Sequence, residues 1–403
     1  GESLFFFMVK RIDAIQRALK LRQTLLRGDK LLVADFSETL QGKDTSRVID
    51  LMPDVETGNY VFRAKVNVKD IDPIAASKYG VDYFDVTKKD DSEIEDLIKR
   101  SEFDFPLWYK NDSGFEMRRV GDFNLPFILQ VAGCNFHDGT KVGGCTYCFV
   151  DDVSNDGIPG EGKSFLSYKS AIESMLQARE KIHAAYQEHG LDLGIRTFRT
   201  SGGEPTIALD WILNAWREID RRGLDFVGQL DSNLSTGPLV DQFENGGIYE
   251  QDILRKLGEY PIKVLTAFKG TDERNIQENV QAMTSLETQL YSLKKFIGAG
   301  FDIYPQLYNP NPMTLKSFLE RVDSEVENLS LRIHIGPLKL YGPNSERLKC
   351  QADQLGVDPG KFIADKKSEW DSNYSHGCEI IDGYLNDTYG VGYRDLVRSD
   401  VPL

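Results

Sequence analysis

Three of the chain's five cysteines fall in one stretch, CNFHDGTKVGGCTYC, spanning residues 134–148. Cys134, Cys145 and Cys148 have the spacing C-x10-C-x2-C, and His137 follows Cys134 as C-x2-H. Thiolates are soft ligands, so the chemistry offered is metal or cluster binding. Either a closed Cys3His zinc site or an open three-thiolate site fits the residue types. Five cysteines are an odd and low number for 403 residues, which fits a reducing compartment better than a disulfide framework. Gly139, Gly143 and Gly144 make HDGTKVGG a turn-rich excursion able to return Cys145 towards Cys134.

A second stretch, TSGGEPT at 200–206, ends the next expected strand. Gly202 and Gly203 allow a ligand close to the backbone, and Glu204 offers a carboxylate to an ammonium group. Taken alone, the same residues also make an ordinary strand-to-helix turn with an acid near the helix start. Further along, Ser232 and Asn233 in LDSNLS and Lys269 in TAFKG stand at strand ends. Asp302, Tyr304, Gln306 and Tyr308 alternate with apolar neighbours, as do Arg332 and His334. Such a polar face lines a cavity or closes a buried hydrogen-bonded network. Cys350 and Cys378 read as ordinary thiols.

The elements that must position these residues are periodic from Pro126 onward. FILQVAG, IRTFRTS, DFVGQLDSN, IKVLTAF, FDIYPQLY and LSLRIHIG read as six strands, separated by helical stretches such as SYKSAIESMLQAREKIHAAYQ and IALDWILNAWREIDRRG. This alternation predicts an α/β fold with a parallel sheet, either open or closed into a partial (β/α)6 barrel, with function at the carboxyl ends of its strands. Before it, a helix from about Val9 to Arg27, the strands LLVADF and YVFRAKVNV, and the acidic helix DDSEIEDLIKR suggest an N-terminal α/β domain over 1–120. The barrel then occupies 121–343. After Tyr341 the alternation is lost, leaving a short docked extension over 344–403.

With 28% charged residues and a formal net charge of -15, the chain is repelled by nucleic acid and by anionic membrane surfaces. No apolar run is long enough for a membrane span, and GESLFFF at the start reads as an exposed apolar lead rather than a secretory signal. A cytoplasmic location is the resulting expectation.

Together, a cysteine loop after one strand and GGEP after the next resemble the radical S-adenosylmethionine superfamily. The lead-in FILQVAGCNF is most similar to the branch holding 7-carboxy-7-deazaguanine synthase and the glycyl-radical activating enzymes. The ten-residue first gap departs from the usual C-x3-C-x2-C. The resemblance implies a [4Fe-4S] cluster on Cys134, Cys145 and Cys148, with one iron open to S-adenosylmethionine. It also implies reductive cleavage of that cofactor to a 5′-deoxyadenosyl radical, and an electron donor such as flavodoxin or ferredoxin. Tyr147 would lie near the adenine, Gly202, Gly203 and Glu204 would hold the methionine moiety, and Ser232, Asn233 and Lys269 would lie beside it. His334 is the outermost candidate on the cofactor or substrate side. The substrate would be a small molecule or a protein or peptide. The alternative from a different class is a zinc-stabilised α/β binding protein with His137 as fourth ligand.

Overall fold

The computed structural model describes residues 11–34, 48–53, 60–66, 126–187, 195, 197–393, 395, 396, 398 and 401–403. Its strands are β1 (Ile12–Asp13), β2 (Leu26–Arg27), β3 (Lys30–Ala34), β4 (Val48–Pro53), β5 (Tyr60–Val66), β6 (Pro126–Val131), β7 (Lys163–Ser167), β8 (Thr197–Gly202), β9 (Val227–Ser232), β10 (Ile262–Phe268), β11 (Ala282–Met283), β12 (Asp302–Tyr308) and β13 (His334–Gly336). Within the larger sheet, β6, β8, β9, β10, β12 and β13 run parallel and lie side by side in chain order. All their carboxyl ends therefore face one edge, where the loops that follow them meet.

Strands of a parallel sheet are covered on both faces and read as near-continuous apolar runs. In β6, Phe127, Ile128, Leu129 and Val131 are all buried. The helix Leu209–Arg221 shows the matching helical pattern, burying Leu209, Ile212, Leu213, Trp216 and Ile219 at three- and four-residue steps against the core. Outside the parallel set, β3 pairs antiparallel with β6 and β7, β2 with β3, and β5 with β4 and β6. Strands β2 to β5 thus belong to the same sheet as the cysteine-bearing strand, while β1 pairs parallel with β11 in a separate two-stranded sheet. The expected acidic helix DDSEIEDLIKR lies outside the described residues.

One expectation needs correction. LSLRIHIG is a strand only over β13, because Leu329–Arg332 forms a helical turn in which Ser330 donates from both N and Oγ to Asp323. Arg332 is accordingly helical. The final segment holds the helices Gly342–Leu355 and Pro359–Tyr389. Their buried faces include Asn344 and Arg347 in the first, and only the widely spaced Trp370, Gly377, Ile381, Tyr384 and Leu385 in the second. A period carried by polar or sparse residues is weak in sequence.

Candidate functional site

Cys134 directly follows the carboxyl end of β6, and the loop after it is fixed from several sides. The amide of Gly133 donates to Ser154 O and that of Cys134 to Asn155 O, each at 2.8 Å. On the returning arm, Thr146 N donates to Asn279 O at 2.9 Å while Gly144 O accepts from Gln281 N at 3.0 Å. Cys145 thereby forms a bridge with Val280, in the segment after the helix Glu273–Asn279. Side chains close round this loop as a second apolar cluster, in which Phe136, Cys145 and Tyr147 meet Ala14, Val280, Leu348 and Trp370. Both ends of the chain contribute to that shell.

The GGE turn packs directly on the first cysteine. Gly203 N donates to Val131 O at 2.8 Å and Glu204 N to Gly133 O at 3.0 Å. Gly202 has φ +104°, and a Cβ on Gly203 would stand 1.9 Å from Gly133 O, so both positions require glycine. Glu204 is 1% exposed, and its carboxylate accepts from Asn233 N at 2.7 Å and from Thr206 Oγ1. Burial raises its pKa to about 7, against the lowering effect of Thr206, Asn233, Lys269 and Ser232. Glu204 thus braces the turn against the amide that follows β9, with one hydrogen bond to each carboxylate oxygen. From the same strand end, Asn233 Nδ2 donates to Asn135 Oδ1 at 2.8 Å and lies 3.9 Å from Cys134 Sγ.

The three thiols share one electrostatic neighbourhood. Burial, followed by the neighbouring Cys145, pushes Cys134 well above the ordinary thiol range. Cys145 is also raised by burial, opposed by Lys269 and Arg347. Lys269 is buried, with Nζ 6.0 Å from the centre of the Phe136 ring. Tyr147 is buried against Tyr308 at 5.8 Å between ring centres, and its hydroxyl has no partner among the described residues.

His137 is held by hydrogen bonds at both ring nitrogens. Its Nδ1 accepts from Gly139 N at 3.1 Å, which leaves the proton on Nε2 to donate to Asp152 Oδ1 at 3.0 Å. Both ring nitrogens are therefore occupied in a fully buried imidazole. Among the described residues, no three His, Cys, Asp or Glu side chains converge as ligands of a single metal ion.

His334 stands apart, one strand further, where β13 pairs Gln306 with His334 in register. Its Nδ1 is 2.8 Å from Gln306 Oε1, and burial, with Arg398 next, lowers its pKa to about 3, so the ring is neutral at pH 7. The polar face expected on β12 extends across the sheet. Arg199 pairs with Asp231, and Lys263 reaches both Tyr304 and Asp302. Gln306 Nε2, in the same face, is buried with no partner among the described residues.

Sequence reasoning missed Arg17, Asn155 and Arg347. Arg17 Nε donates to His137 O at 3.0 Å, Asn155 Nδ2 lies 3.7 Å from Cys148 Sγ, and Arg347 Nη1 donates to Cys148 O at 2.7 Å. Each acts from a separate element on main-chain oxygen or sulfur, a partnership that no residue spacing encodes.

No family model and no curated protein matches the chain. Among solved structures it is similar to a cysteine-to-serine variant of spore photoproduct lyase, at 12% identity, a TM-score of 0.37 and coverage of 58% of this chain and 62% of that one. It is also similar to the radical S-adenosylmethionine methyltransferase TsrM from Kitasatospora setae, solved with cobalamin and a [4Fe-4S] cluster, at 12% identity and a TM-score of 0.36 over 57% of this chain and 40% of that one. A third is the cobalamin-dependent S-adenosylmethionine radical enzyme OxsB, at 10% identity and a TM-score of 0.39 over 66% of this chain and 44% of that one. The match spans less than two thirds of each of these proteins. At such identities and TM-scores the likeness is distant and assigns no residue a role.

Proposed function

We propose that the chain is a radical S-adenosylmethionine enzyme. Cys134, Cys145 and Cys148 would hold a [4Fe-4S] cluster, and the fourth iron would take the amino and carboxylate groups of S-adenosylmethionine. The observation that carries this reading is the donor set. Three thiols pack in or against one apolar cluster after β6 and influence one another electrostatically, beside a glycine turn that admits no side chain, and the nearby His137 is bonded through both ring nitrogens. A lone zinc ion needs four ligands at about 2.0–2.3 Å, and His137 could serve as the fourth only by giving up one of its two ring-nitrogen bonds. Thiolates bound one to each of three irons span a wider site. Asn155 and Asn233 amides near two of the sulfurs suit a cluster whose charge resides partly on sulfur.

When bound, the cluster and S-adenosylmethionine would supply reductive cleavage and a radical that abstracts hydrogen from substrate. This chain's own residues would do the holding. The backbone at Gly202 and Gly203 would lie along the methionine moiety, with Glu204 and Ser232 keeping that turn and Asn233 in place. Lys269 would offset negative charge beside Cys145, and Tyr147 would stand near the adenine. The polar face of β8, β9, β10 and β12 supports a polar substrate, and His334 with Gln306 would border it.

The reading also retains a partial (β/α)6 barrel over 121–343, an N-terminal α/β domain over 1–120 whose strands join the same sheet, the 344–403 extension, a flavodoxin- or ferredoxin-type donor and a cytoplasmic setting. Anaerobic reconstitution tests it. The expected result is a brown protein with about four irons per chain that yields 5′-deoxyadenosine on reduction with S-adenosylmethionine, a yield lost in Cys145→Ala. A colourless protein holding one zinc and no iron overturns the proposal.

A further inference from the structure

Arg347 lies on the helix Gly342–Leu355 and is 1% exposed. Its guanidinium is committed almost wholly to the cysteine loop. Nη1 donates to Cys148 O at 2.7 Å and Cys145 O at 3.5 Å, and Nη2 to Val150 O at 3.2 Å and Asp152 Oδ1 at 2.8 Å. Nε has no partner among the described residues. Asp152, its counter-ion, has a side chain 34% exposed and also accepts from His137. A buried cation thus stands behind two of the three thiols, with its carboxylate on the solvent side. Burying a charge is costly even when paired, and carbonyl oxygens alone could be satisfied by neutral donors. Hydrogen bonding to the loop therefore does not account for the charge.

We propose that Arg347 and Asp152 form an electrostatic positioning pair that sets the reduction potential of the cluster held by Cys134, Cys145 and Cys148; this rests on the iron–sulfur reading above. Reduction adds negative charge to a cluster in a poorly screened site. A fixed cation behind Cys145 and Cys148 stabilises the reduced form and raises the potential, while a carboxylate opposes it. Arg347 donates to the main-chain oxygens of both Cys145 and Cys148, whereas Asp152 is bonded to Arg347 and His137 and is partly exposed to solvent. The cation accordingly dominates, and Asp152 trims its effect.

The two charges can be separated by redox titration followed by electron paramagnetic resonance, with iron per chain measured on each sample. The proteins compared are the reconstituted full-length chain and its Arg347→Met, Arg347→Lys and Asp152→Asn variants. Arg347→Met is expected to lower the potential, since it removes the cation and leaves the carboxylate. Asp152→Asn is expected to raise it, and Arg347→Lys to stay close to the parent. A purely structural role would change occupancy or move both variants in the same direction. Equal potentials, or shifts of the same sign at full iron content, overturn the proposal. Should Arg347→Met fail to hold iron, the upward shift of Asp152→Asn and the retention by Arg347→Lys decide the matter, and absence of either overturns the pair's role. A parent chain that binds no iron–sulfur cluster overturns the functional reading and this proposal together.

Discussion

Glu204 is a buried acid whose titration the fold itself sets. Its carboxylate is buried among hydroxyls and one backbone amide, and burial raises its pKa from 4.5 to about 7. A folded-state pKa above the unfolded value means that the native chain binds more protons between the two. Stability is then full below about pH 4.5 and is lost as the pH rises through about 7. The displacement amounts to about 3 kcal/mol at most, from 1.36 kcal/mol per pKa unit. Glu204→Gln keeps an oxygen for Asn233 N and carries no charge. In the iron-free protein its unfolding free energy should therefore gain on the parent by up to about 3 kcal/mol between acid and mildly alkaline pH. Denaturant titrations across that range check this; parallel pH curves for the two proteins would show that Glu204 is not the titrating group.

At the scale of elements, the meeting of β6 and β8 depends on the absence of two side chains. With Gly203 donating to Val131 O and its missing Cβ 1.9 Å from Gly133 O, the GGE turn lies directly on the backbone that enters the cysteine loop. Gly203→Ala must push these strand ends apart, and the expected cost is at least about 2–3 kcal/mol, with weaker iron loading. A thermal melt and an iron assay on one preparation check both effects; an unchanged melt with full loading would contradict this packing. The close turn at TSGGEPT was legible in the sequence as a glycine pair at a strand end, though those residues alone did not separate a binding turn from an ordinary strand-to-helix turn. The first five parallel strands were legible too, through apolar runs such as that of β6, whereas the sixth was legible only over His334–Gly336. Arg347 was not, because an arginine in a helix ordinarily reads as solvated, and only tertiary packing shows it buried 202 positions in sequence from Cys145. Trp370 was equally hidden, since its neighbours in the loop lie on other elements.

Considered as a whole molecule, the chain encloses its cysteine loop with both of its described ends. Ala14 and Arg17 of the first helix, Ala14–Leu25, touch the loop or its apolar shell, and Leu348 and Trp370 close that shell from the final two helices. The large core beneath the sheet is a separate apolar cluster that includes none of these shell residues. Two clusters with separate membership can open at different free energies, and contacts confined to one of them set its own local stability. Trp370→Ala removes a side chain that is 2% exposed, an excision that costs about 3–5 kcal/mol where the site does not collapse. The cost should fall on the shell first. Hydrogen exchange of the full-length, iron-free chain should accelerate across residues 134–150 while β8, β9 and β10 keep their protection. Equal acceleration across those strands would show that the loop and the sheet open as one unit, and unchanged exchange in the loop would show that Trp370 does not close it.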